Sequence, residues 1–366
     1  MLDKSIDFLL ENAGIVIQYR LRKEILQNIT AAEEEKLLTE IYQLPYFKLV
    51  ESYARPNGFI GNGLHGHSNW RGETLHETPL QDCEASARLL TYYAVPKNHP
   101  LLVNLSAALR DEDVLHGEFL HKKSERERFD SRYVGLCNGS GLMVIVYTLL
   151  AMFGDENYTR SFQEISLDAF GSVLPLMSVD DITEFNPNLK RKYNYPYIFD
   201  DTYFPCMYHL TTLAYSQAWR TPQNVKIVAR AINHLCEINS DDHEANTLQV
   251  KGKGGFRGIL WALLRPFLPF VSADSLTETM QRRYLTEIAM LGVGCEVDVI
   301  RQSADNLQDA LATDGILRSN SKVRNHYPGA YGEVFLEDNY RKKTALACDL
   351  TFWAVQFLHY VEGAEI

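Results

Sequence analysis

The chain has 366 residues, 46% hydrophobic and 23% charged, an ordinary balance for a globular protein with ample length to bury a large core. Its formal net charge of −11 argues against nucleic acid as the main partner, because a phosphate-binding face needs a basic excess. Local basic runs, at 190–192 and 341–343, read as solvated surface.

Asp3, Lys4, Asp7 and Glu11 interrupt the opening residues, so no signal-peptide core is expected there. The most apolar run, 258–273, is broken by Arg265, Pro266 and Pro269 and is too short to span a bilayer, which predicts no membrane span. Six cysteines without a CxxC pair favour reduced thiols and a cytoplasmic location.

In chain order, Ile15, Ile17, Tyr19, Leu21 and Ile25–Leu26 follow a mostly helical pattern. Thr30 and Glu33 have the spacing of a capping box, and Leu37, Leu38, Ile41 and Leu44 then recur at helical intervals. Residues 1–50 are therefore expected to be lead-in helices. Next comes a Gly-rich stretch, 56–84, that gathers His65, His67, Trp70, Arg71, His76, Glu77, Asp82 and Cys83 ahead of an apolar helix.

Beyond it a theme repeats: an apolar helix, a short turn rich in Pro or Asp, and a second helix. The copies run over 87–109, 145–170 and 210–235. In the third, Thr221–Pro222 marks a helix start, and Val225, Val228, Ile232 and Leu235 make one apolar stripe. A Gly or acidic residue beside an apolar one closes each unit, at Gly58–Phe59, Gly117–Phe119, Glu184–Phe185, Gly255–Phe256 and Gly315–Ile316. Gly58 and Gly117 are 59 residues apart, Gly255 and Gly315 60. Helix pairs at a fixed period predict a repeat array in which each unit buries its face on its neighbours, with long loops gathered on one side. Hardly any segment alternates like a half-buried strand, so the expected fold is all-α and a single domain over 1–366.

Helix hairpins of this period, with PNGFIG (56–61), HETPLQDCEASARLL (76–90), FPCMYHLTTLAYSQAWRTPQNV (204–225) and ATDGILRSN (312–320), resemble the α/α toroid of the terpenoid cyclase and protein prenyltransferase superfamily. The opening IQYRLRKEIL (17–26) is similar to the lead-in helix of bacterial toroid proteins of this size. The resemblance implies an α/α toroid, a barrel of helical hairpins, and an isoprenoid-like ligand in a central cavity. The acidic DxDD motif of triterpene cyclases is absent, and the Asp-x-Cys zinc pair of prenyltransferases is replaced by adjacent Asp82 and Cys83.

In such a toroid Cys83, Cys137, Cys206 and Cys348 recur near the starts of inner helices. They form either a soft-metal site or small buried fillers where helices crowd. His65, His67 and His76, with Glu77 or Asp82, could share a metal, contact a ligand or cap helix ends. Asp180–Asp181 with Glu184 has the outline of a diphosphate–magnesium motif, but it precedes Pro187 without helical periodicity and reads as a solvated turn. Asp200 and Asp201 precede the helix of 204–213 and either cap it or present a carboxylate to the cavity.

The expected rim comprises the 56–84 loop, Cys137–Asn138, the 200–209 segment with Tyr203, Cys206 and His209, and an aromatic stretch ending at Tyr340 and Arg341. Proton transfer falls to His76, Asp82 or Asp201, and the remaining rim residues contact ligand. The Gly-rich 251–258 lacks the order that cradles a phosphate. The expected partner is a small molecule; no metal ligand set, cofactor, reaction or oligomeric state is specified. Alternatives are a non-catalytic peptide- or ligand-binding scaffold and a carbohydrate-processing α/α barrel.

Overall fold

A computed structural model describes residues 2–65, 80–119, 131–184, 196–238, 247–253, 255–263, 268–277, 280–321 and 335–363. These are mostly helical. The lead-in helices are α1 (Leu2–Asn12), α2 (Ile15–Arg20), α3 (Ala31–Ile41) and α4 (Pro45–Ser52). Helix α2 runs on into a π-helical turn, Leu21–Ile25, which the apolar pattern does not reveal. The Thr30 capping box forms as its spacing requires: Glu33 N–H donates to Thr30 Oγ1, and Thr30 N–H to Glu33 Oε2.

The repeated pairs follow. They are α5 (Cys83–Tyr92) with α6 (Pro100–Arg110), then, after α7 (Glu112–Phe119), α8 (Met143–Met152) with α9 (Glu156–Gly171) and α10 (Met207–Tyr215) with α11 (Pro222–Ile238). A fourth pair that the sequence reading missed is α12 (Gln281–Met290) with α13 (Asp298–Leu311), and α14 (Ala345–Gly363) closes the series. It was missed because α12, QRRYLTEIAM, carries three charged residues in ten and does not look like a core helix.

The two members of a pair bury differently. In α8 every residue but Tyr147 is buried, and α10 is buried from Met207 to Ala214. Such all-round burial marks an interior helix. In contrast α11 buries one stripe, Val228, Ala229, Ala231, Ile232 and Leu235, and α13 does likewise through Ile300, Ala304, Leu307 and Leu311. The first helices pack side by side in order: α5 on α8, α8 on α10, α10 on α12, α12 on α14, and α14 on α2 with its π turn. The second helices lie behind them, α9 against α8 and α10, and α13 against α12 and α14.

Within a pair the connections are short, spanning 93–99, 153–155, 216–221 and 291–297. Between pairs the separation along the chain is longer. One long connection carries strand β1 (Tyr197–Phe199), and the next carries β2 (Thr247–Gly252) and β3 (Gly255–Trp261). They form one sheet in the order β1-β2-β3, with β1 parallel to β2 and β2 antiparallel to β3. The sheet is small, and with little strand besides it among the described residues the mostly helical content agrees with the all-α expectation. Within the Gly-rich 251–258, Lys251 and Gly252 end β2 and Gly255–Gly258 open β3, and Leu248 and Val250 alternate inward.

The five unit-closing motifs are not structurally equivalent. Gly58 and Gly315 are turns with φ of 84° and 76°, whereas Gly117 lies inside α7, Glu184 makes an isolated bridge to Tyr197, and Gly255 begins β3. Among the described residues no helix is long and apolar enough to cross a membrane.

Candidate functional site

The C-terminal ends of α5, α8 and α10 converge on one face of α12, from Arg282 to Met290, and α2 and α14 complete the wall of a cavity of about 530 Å³. Tyr92, Phe153 and Tyr215 come from the converging ends. Tyr19 comes from α2, and Phe352, Trp353 and Tyr360 lie along one face of α14. The i, i+4 and i, i+8 spacings 352, 356 and 360 are what put these side chains on a single helix face.

Charged groups share the wall and are mostly paired with one another. Arg20 Nη2 lies 2.8 Å from Glu24 Oε2, and the guanidinium sits 5.3 Å from the Phe352 ring centre. The π turn beyond Arg20 brings Lys23 and Glu24 to the same cavity. Arg283 Nε lies 2.9 Å from Glu287 Oε1, while Thr211 Oγ1 donates to Glu287 Oε2 at 2.9 Å and accepts from Arg283 Nη2 at 3.0 Å. Trp353 Nε1 donates to Arg282 O and to Thr286 Oγ1, fixing the indole against α12.

Asp349 differs from these. It is 2% exposed; its Oδ1 accepts the Leu336 N–H at 2.8 Å, and its Oδ2 is buried without a hydrogen-bond partner. Burial pushes its carboxyl up to about 7, against the pull of Arg282. A carboxyl poised near neutrality can both give and take a proton.

A second polar cluster fills the first turns of α5 and α10. Glu84 Oε1 accepts from Arg88 Nε and Nη2 at 3.0 and 2.8 Å, and both side chains are wholly buried. Glu84 Oε2 meets His65 Nδ1 at 2.9 Å and the Tyr208 hydroxyl at 3.3 Å. Burial alone would raise the Glu84 carboxyl, but Arg88 and His65 hold it at about 2. For His65, burial opposes the charge while the Glu84 hydrogen bond and charge favour it, and the balance raises the imidazole pKa. Arg88 Nη1 reaches Met152 Sδ at 3.8 Å, so this cluster abuts the cavity wall.

Of the sequence-derived site residues, His67, Trp70, Arg71, His76 and Glu77 lie outside the described residues. The described ones other than Tyr340, which precedes α14, gather around the starts of α5, α8 and α10, and none lines the cavity wall. Asp82 is the N-cap of α5, accepting Ala85 N–H at 2.9 Å, with burial raising its carboxyl to about 6. The cysteines lie at or near helix starts: Cys83 opens α5, Cys206 is the N-cap of α10, Cys348 lies in the first turn of α14, and Cys137 precedes α8. Burial raises all four thiols, to about 11 at Cys137 and about 12 at Cys206 and Cys348, so they stay protonated rather than poised as thiolates.

Cys137, Asn138, Asp200, Cys206 and His209 do come together, as a structural clasp. Asn138 Nδ2 donates to Phe199 O and Thr202 O, and Cys137 Sγ lies 3.5 Å from Asp200 O. His209 Nδ1 accepts Cys206 N–H, and its Nε2 pairs with Leu136 O at 2.7 Å. Burial lowers this imidazole to about 4, so it is neutral. The expectation that Asp200 and Asp201 stand at the helix start is corrected: α10 begins at Met207, with Phe204–Pro205 intervening, and Asp201 is exposed. Tyr203 is 42% exposed, and the Tyr340 hydroxyl accepts Glu337 N–H at 3.3 Å. Asp181 Oδ2 accepts the Met177 and Ser178 N–H groups, confirming a capped turn at 178–181. Among the described residues no three His, Cys, Asp or Glu side chains are placed to hold a metal ion.

The cavity residues that sequence reading missed are Asp349, Arg20, Arg283 and Glu287. A usable signal existed. Charged residues four apart inside otherwise buried helices, Glu84/Arg88 and Arg283/Glu287, have to pair or face a polar cavity. Comparison with protein-family models, curated proteins and solved structures finds no match to this chain.

Proposed function

We propose that the helix pairs close into an α/α toroid, prenyltransferase- and terpene-cyclase-like in architecture, whose central cavity binds and transforms a small, partly apolar ligand. One observation carries the reading: inner-helix ends converge on an aromatic-walled cavity that holds the buried carboxyl of Asp349. Its volume of about 530 Å³ suits a single small molecule, since such sites span roughly 300–1,000 Å³.

The chemistry follows from the wall. Phe352, Trp353, Tyr92 and Tyr215 offer faces for an apolar surface, isoprenoid or ring. The pairs Arg20–Glu24 and Arg283–Glu287 are already neutralised by each other, so they hold position without demanding a charged ligand. Asp349 is the group able to exchange a proton near neutral pH.

Acrylamide quenching of Trp353 tests this, with Trp353→Phe identifying its share of the emission. Farnesol, farnesyl diphosphate and a small sugar serve as probes, alongside mass spectrometry of whatever co-purifies. Shielding of Trp353 by a retained or added compound is expected. Quenching unchanged by every probe, with nothing retained, would overturn the proposal.

A further inference from the structure

The unpaired oxygen of Asp349 bears on the kind of ligand, and the argument rests on the cavity reading above. A buried carboxylate oxygen without a donor costs free energy that a hydrocarbon in the cavity would leave unrecovered. A strongly anionic ligand would meet Glu24 and Glu287 as well as Asp349, and a cationic one would meet Arg20, Arg282 and Arg283. A neutral ring with apolar faces and hydroxyl edges avoids both conflicts. Its faces stack on the aromatic wall, and each hydroxyl both donates and accepts. The Leu336 N–H holds Oδ1 at 2.8 Å and so fixes the plane of the carboxylate.

We propose that Asp349 is the polar anchor of the cavity, its Oδ2 accepting a hydrogen bond from a hydroxyl of a polyhydroxylated ring, a sugar or cyclitol, stacked on the aromatic wall. The anchored hydroxyl is thereby the one Asp349 can deprotonate or reprotonate. No co-reactant is needed for this step, in which one proton moves between a ligand oxygen and Oδ2. The charged and titratable groups acting on Asp349 are Arg282 from α12, Glu337 from the segment before α14, and Tyr93 beyond α5. Ionised Asp349 is the accepting form, so binding strengthens as pH rises through about 7.

The test uses Trp353 shielding and calorimetry on the full chain with glucose, N-acetylglucosamine and myo-inositol at pH 8. At least one is expected to bind. Asp349→Asn keeps an oxygen for the Leu336 N–H but replaces the acceptor by a donor, and is expected to weaken binding about tenfold or more. The wild type should lose affinity between pH 8 and pH 6, and the variant should not. Thermal melts of both proteins confirm that the variant is folded, and Asp349→Ser is a second substitution should Asn fail. Farnesol separates the two readings. If it shields Trp353 equally in wild type and D349N while no sugar or cyclitol binds, the cavity reading stands and this one falls. If no probe shields Trp353, both fall. Equal sugar affinity in wild type and D349N also overturns the anchor.

Discussion

Glu84 and Arg88 lie one helical turn apart on α5 with Oε1 and Nη2 2.8 Å apart, and neither side chain has any solvent exposure. Two charges so deep gain little over an apolar pair, but removing one strands the other. Glu84→Gln is expected to cost about 3–5 kcal/mol, and Glu84→Gln combined with Arg88→Met to recover part of that loss. Urea denaturation of the two single variants and the double variant checks this. Additive losses would mean that the pair is not coupled.

His65 has its folded pKa raised above 6.5, so the proton it shares with Glu84 stabilises the fold fully below that value. The contribution is lost as pH rises through the folded pKa. NMR titration should place the imidazole above 6.5, and Tyr208→Phe should leave it there, because Glu84 supplies the charge. An imidazole titrating at or below 6.5 would contradict the geometry.

Asp349 carries the opposite charge chemistry but the same sign of linkage. Its folded pKa of about 7 exceeds the ordinary 3.8, so protonated Asp349 favours the fold below 3.8, and stability falls as pH rises from there through about 7. Asp349→Asn should remove that fall and melt higher than wild type at pH 8. A variant that melts lower at pH 8 would show that ionised Asp349 is better paired than its buried Oδ2 indicates.

Gly58 sits at φ 84°, where a Cβ would approach the Asn104 carbonyl oxygen to 2.6 Å. Gly58→Ala therefore pays both for the left-handed backbone and for moving α6, an expected loss of about 1–3 kcal/mol. Gly363→Ala, where a Cβ meets nothing within 4 Å, is the control expected to leave the midpoint unchanged.

Thr30→Ala removes the hydroxyl that accepts Glu33 N–H at the start of α3 and should cost about 1 kcal/mol. Thr30→Ser, which keeps the acceptor, should cost less.

Much of the helical plan could be read directly. The capping box at Thr30, the start at Thr221–Pro222 and the stripe of α11 depend on neighbours within a few residues, so local chemistry writes them into the sequence. The hairpin of β2 and β3 escaped notice because its glycines were read for phosphate binding rather than for a turn, and β1 is only three residues long.

The candidate site was legible only as residue types. His65, Asp82, Cys83, Cys206 and His209 drew attention for their chemistry, but whether a His is a base or a clasp depends on what it touches: His209 holds Leu136 O, and His65 holds Glu84. Glu84 and Arg283 carried a local signal in their partners four residues on, Arg88 and Glu287, whereas Asp349, an isolated charge in an apolar helix, carries no local signature of what it meets.

By itself the sequence determined where helices begin, which faces are apolar and that they come in pairs, since those properties arise from contacts three or four residues apart. Only the tertiary structure decided which helix ends meet. Asp349 and Tyr92, more than 250 residues apart in the chain, line the same cavity, a relation no local spacing encodes.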